Sequence, residues 1–335
     1  MADTAAPAGS SVALARPRAP TTGAAGRLRV DGSIVFIYVL VLVVGMGAGW
    51  YSERFRDPIN LTNVLRQTIV LGLLAIGQSL VILAGGIDMS IALIARLSTL
   101  IVAVLFGGNE ALIVPLLGLG LAIGALLGLL NGLIITRVYA SPFIVTFGMF
   151  SILNGIGLAI ASSPVGKIPA AYLGMYDASL GPLPVSVLAM AVLWAAAWLL
   201  TSRTRFGRAL YAVGGSQRVA RLAAINVSRT LVGAYVLSGL CGAAGGLFIL
   251  ARTGVGDPKM AEGLEFQSIV AVALGGISLS GGRGSLLGTL GGVLLLGVVA
   301  NMFNILQVDA FFQQLILGLI VLITVATYRT SRAAA

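Results

Sequence analysis

The chain has 335 residues, 58% of them hydrophobic and only 10% charged, with a mean hydropathy of +1.02. A soluble domain carries roughly 25% charged residues, so this composition excludes a soluble fold and points to a polytopic helical membrane protein. Its formal net charge of +10 comes with no histidine and one cysteine, Cys241, which excludes a histidine metal site, a histidine general base and a disulfide framework.

Residues 1–32 are mostly Ala, Pro, Thr, Ser and Gly, with Arg16, Arg18, Arg27 and Arg29, and read as a disordered tail. The Arg-rich, acid-poor start also resembles a transit peptide but lacks the amphipathic pattern of one. The apolar run Ser33 to Trp50, at about 18 residues, is longer than the core of a signal peptide and long enough to cross a bilayer. Apolar segments then fall at about 33–51, 61–84, 88–106, 111–135, 142–161, 183–201, 230–251, 265–280, 285–304 and 311–328. The third and eighth are weak, and their Gly-rich flanks predict broken or half-spanning helices. The expected fold is an all-α polytopic membrane protein of about ten transmembrane helices over 33–329, with a polar interval at 201–229 and a short tail at 330–335.

Charge sorts the loops. With the N-terminus inside, about two thirds of the Lys and Arg fall on one side: the tail, Arg137, the polar interval, Arg283, Arg329 and Arg332. The outer loops hold Arg54, Arg56, Lys167, Arg252 and Lys259, together with most of the acids, and Arg66 and Arg96 lie within spans. Both termini are therefore expected to be cytoplasmic, and the scattered basic residues mark membrane topology and not nucleic-acid binding. Two outward loops, Ser162 to Leu183 and Thr253 to Phe266, carry mixed charge. That suits docking of a soluble partner, and it equally suits an ordinary polar loop.

The polar interval from Thr201 to Arg229 contains Arg203, Arg205, Arg208, Arg218, Arg221 and Arg229 and no acid. Gly214 and Gly215 predict a hinge. Ser216 is a good N-cap for a short helix through Gln217, Arg218, Val219, Ala220, Arg221, Leu222 and Ala223 to about Ile225. Val219, Leu222 and Ala223 share a face of it. About ten residues do not hold a helix in water alone, so the rest of the chain, a lipid surface or a partner must grip it.

Glycine numbers 45. Gly118, Gly120, Gly124, Gly128 and Gly132, and the run SGGRGSLLGTLGG, are spaced for close helix contact or for helices that slide. SGGRGS resembles a phosphate-cradling turn, but the G-x-x-x-x-G-K-[ST] spacing occurs nowhere in the chain, so any use of ATP requires a site on another chain. In GGIDMS, Asp88 sits at a glycine break. It is either a functional intramembrane acid or a cap of the third helix assisted by Ser90. Arg96, about two turns on, is too far along for an i, i+4 pair with it; it snorkels or lines a wet cavity. Gln78, Asn131, Thr146, Asn154, Asn301 and Asn304 are polar groups inside other spans. They suit a path for a neutral hydrophilic solute, or hydrogen-bonded glue between helices. Phe143, Phe147 and Phe150, after the break at Pro142, are gate candidates or packing residues.

GGIDMS, NGLIITRVYASPFIVTFGMFSILNGIGL, TRFGRALYAVGGSQRVARLAAINV, YVLSGLCGAAGG and ALGGISLSGGRGSLLGTLGGVLLLGVVANMFNILQVDAFFQQLILG, in that order over about 61–328, resemble the permease subunits of ATP-binding-cassette sugar importers of the ribose, xylose and galactose type. The resemblance implies a noncatalytic monosaccharide permease in a bacterial inner membrane, paired with a second copy or a close paralogue. It also implies cytoplasmic ATPase subunits that bind ATP and magnesium, a periplasmic or extracellular sugar-binding protein, and no cofactor on this chain. Such permeases hold a coupling helix in a groove of the ATPase; carried over, this is Gly214, Gly215 and the run Ser216 to Asn226. The chain departs from the family pattern at Ala92-Leu93, at Arg96, at Gln217-Arg218-Val219-Ala220 and at Ala223-Ala224. Permeases for nucleosides or branched-chain amino acids share this plan. A secondary transporter coupled through Asp88 and Arg96 is a rival of another class, and a membrane enzyme would lack both histidine and paired carboxylates within the spans.

Overall fold

The computed structural model describes residues 32–309, 311–313, 315–316 and 318–319. The tail expected at 1–32 (apart from Gly32), most of the tenth segment and the C-terminal tail lie outside the described residues. The elements are α1 (Gly32–Tyr51), α2 (Glu53–Arg56), α3 (Pro58–Leu83), α4 (Ile91–Phe106), a 3-10 turn (Glu110–Leu112), α5 (Ile113–Val138), α6 (Pro142–Ile160), α7 (Ala170–Asp177), β1 (Ser179–Leu180), β2 (Leu183–Pro184), α8 (Val185–Arg203), α9 (Arg205–Gly215), α10 (Gln217–Leu222), α11 (Val227–Thr253), α12 (Leu264–Leu274) and α13 (Leu286–Ile305).

Among the described residues, seven helices are long and apolar enough to cross a membrane: α1, α3, α5 with its 3-10 turn, α6, α8, α11 and α13. The two weak segments are the short helices. α4 has 16 residues and α12 has 11, so at a rise of 1.5 Å per residue they reach about 24 and about 17 Å, short of a hydrocarbon core of about 30 Å. Boundaries follow local chemistry. Pro58 begins α3 while the Asp57 carboxyl accepts from Ile59 N at 2.9 Å, and Gly107 ends α4 at φ +54°.

α11 is the centre of the bundle, packed against α5, α3 and α4. The α5 contact is made by backbone. A Cβ on Gly124 would collide with the Gly239 carbonyl, one on Gly128 with the Tyr235 carbonyl, and one on Gly132 would lie 2.8 Å from Val232 Cα. Between helices in lipid no hydrophobic force operates, so this closeness is what yields dispersion energy. Gly118, expected in the same stripe, has no neighbour within 4 Å of a Cβ position and takes no part in it.

The two loops expected to face outward are tied down and to each other. Val165 and Gly256 exchange backbone hydrogen bonds at 2.9 and 2.8 Å. Tyr172 is buried beside Phe106 and donates to the Leu247 carbonyl at 2.6 Å; burial pushes its phenol above the ordinary value. Arg66, which the sequence places within a span, lies 5.0 Å over the Tyr176 ring and 4.0 Å from the Asp177 carboxyl.

Gly124→Ala should destabilise the protein by about 1–3 kcal/mol through overpacking against α11, whereas Gly118→Ala should be neutral. Thermal unfolding of the two variants in one detergent, followed by size-exclusion chromatography, compares them directly.

Candidate functional site

The turn between α3 and α4, residues 84–90, gathers polar partners from α5, α6 and α11. Gly85, at φ +86°, reverses the chain in a conformation that side chains disfavour. Asp88 then lies fully buried. Its Oδ1 accepts from Ser90 N (3.0 Å) and Ser90 Oγ (2.7 Å), and its Oδ2 accepts from Ser238 Oγ of α11 (2.7 Å). Asp88 therefore meets the free backbone at the start of α4 and also ties α4 to α11. Ser90 does not cap with its own oxygen. It donates to Asp88 and accepts from Asn131 Nδ2 of α5 at 2.8 Å. Thr146 of α6 closes the other side: its hydroxyl accepts from Met89 N at 3.1 Å and lies 3.0 Å from the Ile87 carbonyl. Ser238 was missed on the sequence because a serine in a glycine-rich span reads as a small packing residue.

The polar residues expected along a path divide into two groups. Gln78, Asn131, Thr146 and Asn301 are buried within the subunit. Asn301 exchanges hydrogen bonds with Asn60 at 3.0 and 3.1 Å, and Asn131 and Thr146 serve the turn, so three of these four tie helices together. On α6 the arrangement differs. Phe143 and Phe147 are 48% and 49% exposed, and the rings of Phe143, Phe147 and Phe150 stack in series at 6.0 Å, tilted by only 10° and 1°. Asn154 continues this stripe one turn on, half-buried. Its Oδ1 accepts from Arg96 Nη1 at 2.9 Å, and Arg96 Nε donates to the Met260 carbonyl at 2.9 Å. Arg96 neither snorkels nor pairs with Asp88; it pins the loop before α12 to α6. Asn304 is exposed near the end of α13.

The polar interval differs from expectation. Gly214 and Gly215 are not a hinge but the last turn of α9, a helix the sequence reading did not anticipate. The signal for it was Thr204, whose Oγ1 accepts from Gly207 N at 3.1 Å, and the spacing of Gly207, Leu210 and Val213, all buried. The break falls at Ser216, which caps α10 by accepting from Val219 N at 3.3 Å. α10 ends at Leu222 and not at Ile225, because Ala224 turns at φ +57°. The six-residue helix is held by Ala220, its one buried residue, while Val219 is 62% and Leu222 83% exposed, as are Gln217, Arg218, Arg221 and Ala223.

Replacing Asp88 separates two consequences. Asp88→Leu leaves Ser90 N and two hydroxyls buried without an acceptor, each worth about 1–3 kcal/mol, and should unfold or strongly destabilise the protein. Asp88→Asn keeps one oxygen for Ser90 and should lower the thermal midpoint only slightly. Unfolding curves of both variants in detergent check the order.

Residues 60–325 match the family model described as branched-chain amino acid transport system / permease component. The ribose import permease of Bacillus subtilis is 36% identical over 313 residues, covering 92% of this chain and 95% of its own length. The ribose import permease of Escherichia coli K12 is 34% identical, covering 88% and 91%, and the fructose import permease of Rhizobium meliloti is 34% identical, covering 89% and 86%. No solved structure matches. The apolar helices and the family match over the same stretch agree: this chain is a multi-pass membrane permease subunit of the branched-chain amino acid transport system / permease component family.

Proposed function

We propose that the chain is the membrane subunit of an ATP-binding-cassette importer that brings a monosaccharide into a bacterial cytoplasm across the inner membrane. The relatives named for ribose, allose and fructose import support the sugar class. ATP and magnesium bind a partner ATPase, a soluble binding protein delivers sugar at the outer loops, and a second permease subunit completes the path. This chain binds no cofactor of its own. The path runs along the open face of α6, past Phe143, Phe147 and Asn154, with Asn304 of α13 near one mouth. The apolar faces of a sugar ring suit the stacked phenyl rings, and its hydroxyls suit the amides.

One observation carries the coupling assignment. α10 presents Val219 and Leu222 to the outside, flanked by Arg218 and Arg221, on a basic segment with no acid. Two apolar side chains on a six-residue helix are a poor surface to leave in water and a good one to seat in a protein groove. Movement of the ATPases then acts on the permease through α10, by contacts that differ between the two states. A pair of Asp88 and Arg96 serving ion coupling is not supported, since Asp88 is enclosed by Ser90 and Ser238 and Arg96 is engaged by Asn154 and Met260.

Leu222→Glu puts a carboxylate into that groove. Uptake of radiolabelled sugar should fall to background and the ATPase should no longer co-purify, while the variant still reaches the membrane in normal amount. Normal uptake by this variant would remove α10 from the coupling role.

A further inference from the structure

Three backbone segments from distant parts of the chain meet beside α10: the end of α9, the turn at 84–90 and the loop 278–284. Gly282 N donates to the Leu83 carbonyl at 3.0 Å. A Cβ on Gly214 would collide with that same carbonyl and come 2.6 Å from Gly282 N. One on Gly281 would lie 2.8 Å from Gly85 Cα and 3.0 Å from the Gly214 carbonyl, and one on Gly282 would lie 2.6 Å from Gly215 N. Tyr211 of α9 adds a hydrogen bond from its hydroxyl to the Gly284 carbonyl at 2.9 Å. Side chains absorb small displacements by changing rotamer, but backbone packed on backbone has no such freedom. A shift of the α9–α10 corner therefore cannot leave the turn at 84–90 where it was.

The same turn is fastened to α6. The Thr146 hydroxyl, fully buried, accepts from Met89 N and lies against the Ile87 carbonyl. Phe147 follows it directly, and Phe143 and Phe150 lie about one turn to either side, so the residue fastened to the turn is embedded in the segment that bears the stacked rings. A continuous route runs from α10, through Gly214 and Gly281, into the turn, and from the turn through one hydroxyl into the helix that bears the stripe.

Resting on the importer reading above, we propose that this glycine junction and Thr146 transmit movement of α10 to the sugar path, with Thr146 the positioning residue that joins the turn to α6. The junction's role is distinct from holding the ATPase, which belongs to the exposed face of α10. It is separated from fold stability by its readout: Thr146→Val removes the acceptor of the buried Met89 N and costs some stability, but a merely structural loss would not lower sugar moved per ATP while the ATPase stays bound and active.

The test purifies the tagged chain with its ATPase from native membranes and reconstitutes it in liposomes with the binding protein. ATP hydrolysed and sugar moved are counted together, using whichever of ribose, allose and fructose the wild type carries fastest. Thr146→Val should keep the co-purifying ATPase and hydrolyse ATP within about twofold of wild type, while sugar uptake falls by about tenfold. Thr146→Ser, which restores the hydroxyl, should restore the ratio of sugar to ATP. Gly214→Ala should uncouple in the same way; if it does not reach the membrane, Tyr211→Phe replaces it, with a smaller loss of the same ratio. Gly118→Ala should leave both rates unchanged. An unaltered ratio in Thr146→Val, or a Thr146→Ser variant as uncoupled as the valine, overturns the proposal and leaves the importer reading intact. A wild-type chain that brings down no ATPase overturns the importer reading and this proposal with it.

Discussion

A carboxyl group inside a bundle of apolar helices has to be met by hydrogen-bond donors, and meeting Asp88 arranges the helices around the turn at 84–90. Both of its oxygens are used, by the backbone and hydroxyl of Ser90 and by the hydroxyl of Ser238. Each such group left bare would cost on the order of 1–3 kcal/mol, so α4 cannot pull away from α11 without exposing several at once. Ser90 extends the network to Asn131 on α5, and the backbone on either side of Asp88 reaches Thr146 on α6. A short turn thereby ties four helices, α4, α5, α6 and α11, to one another.

Glycine serves two separate ends in the same molecule. Along α5 and α11 it lets two long helices approach until carbonyls and Cα atoms touch, which replaces the hydrophobic drive that lipid removes. Beside α10 it lets a helix end, a turn and a loop pack without side chains between them, with Gly85, Gly281 and Gly282 at positive φ. The first arrangement makes a rigid centre. The second makes a stiff joint between that centre and the exposed basic corner where α10 sits.

The polar side chains of the spans are thereby sorted by role. Asn131, Thr146 and Asn301 are committed to partners within the subunit. The open stripe on α6 combines stacked phenyl rings with an amide whose oxygen is already taken by Arg96. A surface of that kind, apolar along its length and polar at one end, is amphipathic in the way a sugar ring is. Arg96 holds the loop before α12 against this stripe.

Much was legible in the order of residues alone. Long apolar runs can be nothing but spans, because a lipid environment makes hydropathy and length nearly sufficient. Nine of the ten expected segments are helices among the described residues, with the two weakest the shortest. The start of α10 was legible in Ser216, because capping is local chemistry between a side chain and an amide three residues away. Its end at Leu222 was not, nor was α9, whose apolar residues are held by packing against the bundle and not by any signal strong enough to override a Gly-Gly pair. The partners of Asp88 were illegible for the same reason: Ser238 lies 150 residues away, and only folding brings it within 2.7 Å. Composition and local spacing therefore determined that this is a multi-span membrane protein and roughly where each helix lies. Tertiary structure alone decided which polar groups are bound to each other and which face open space, because burial is a property of neighbours that sequence distance does not encode.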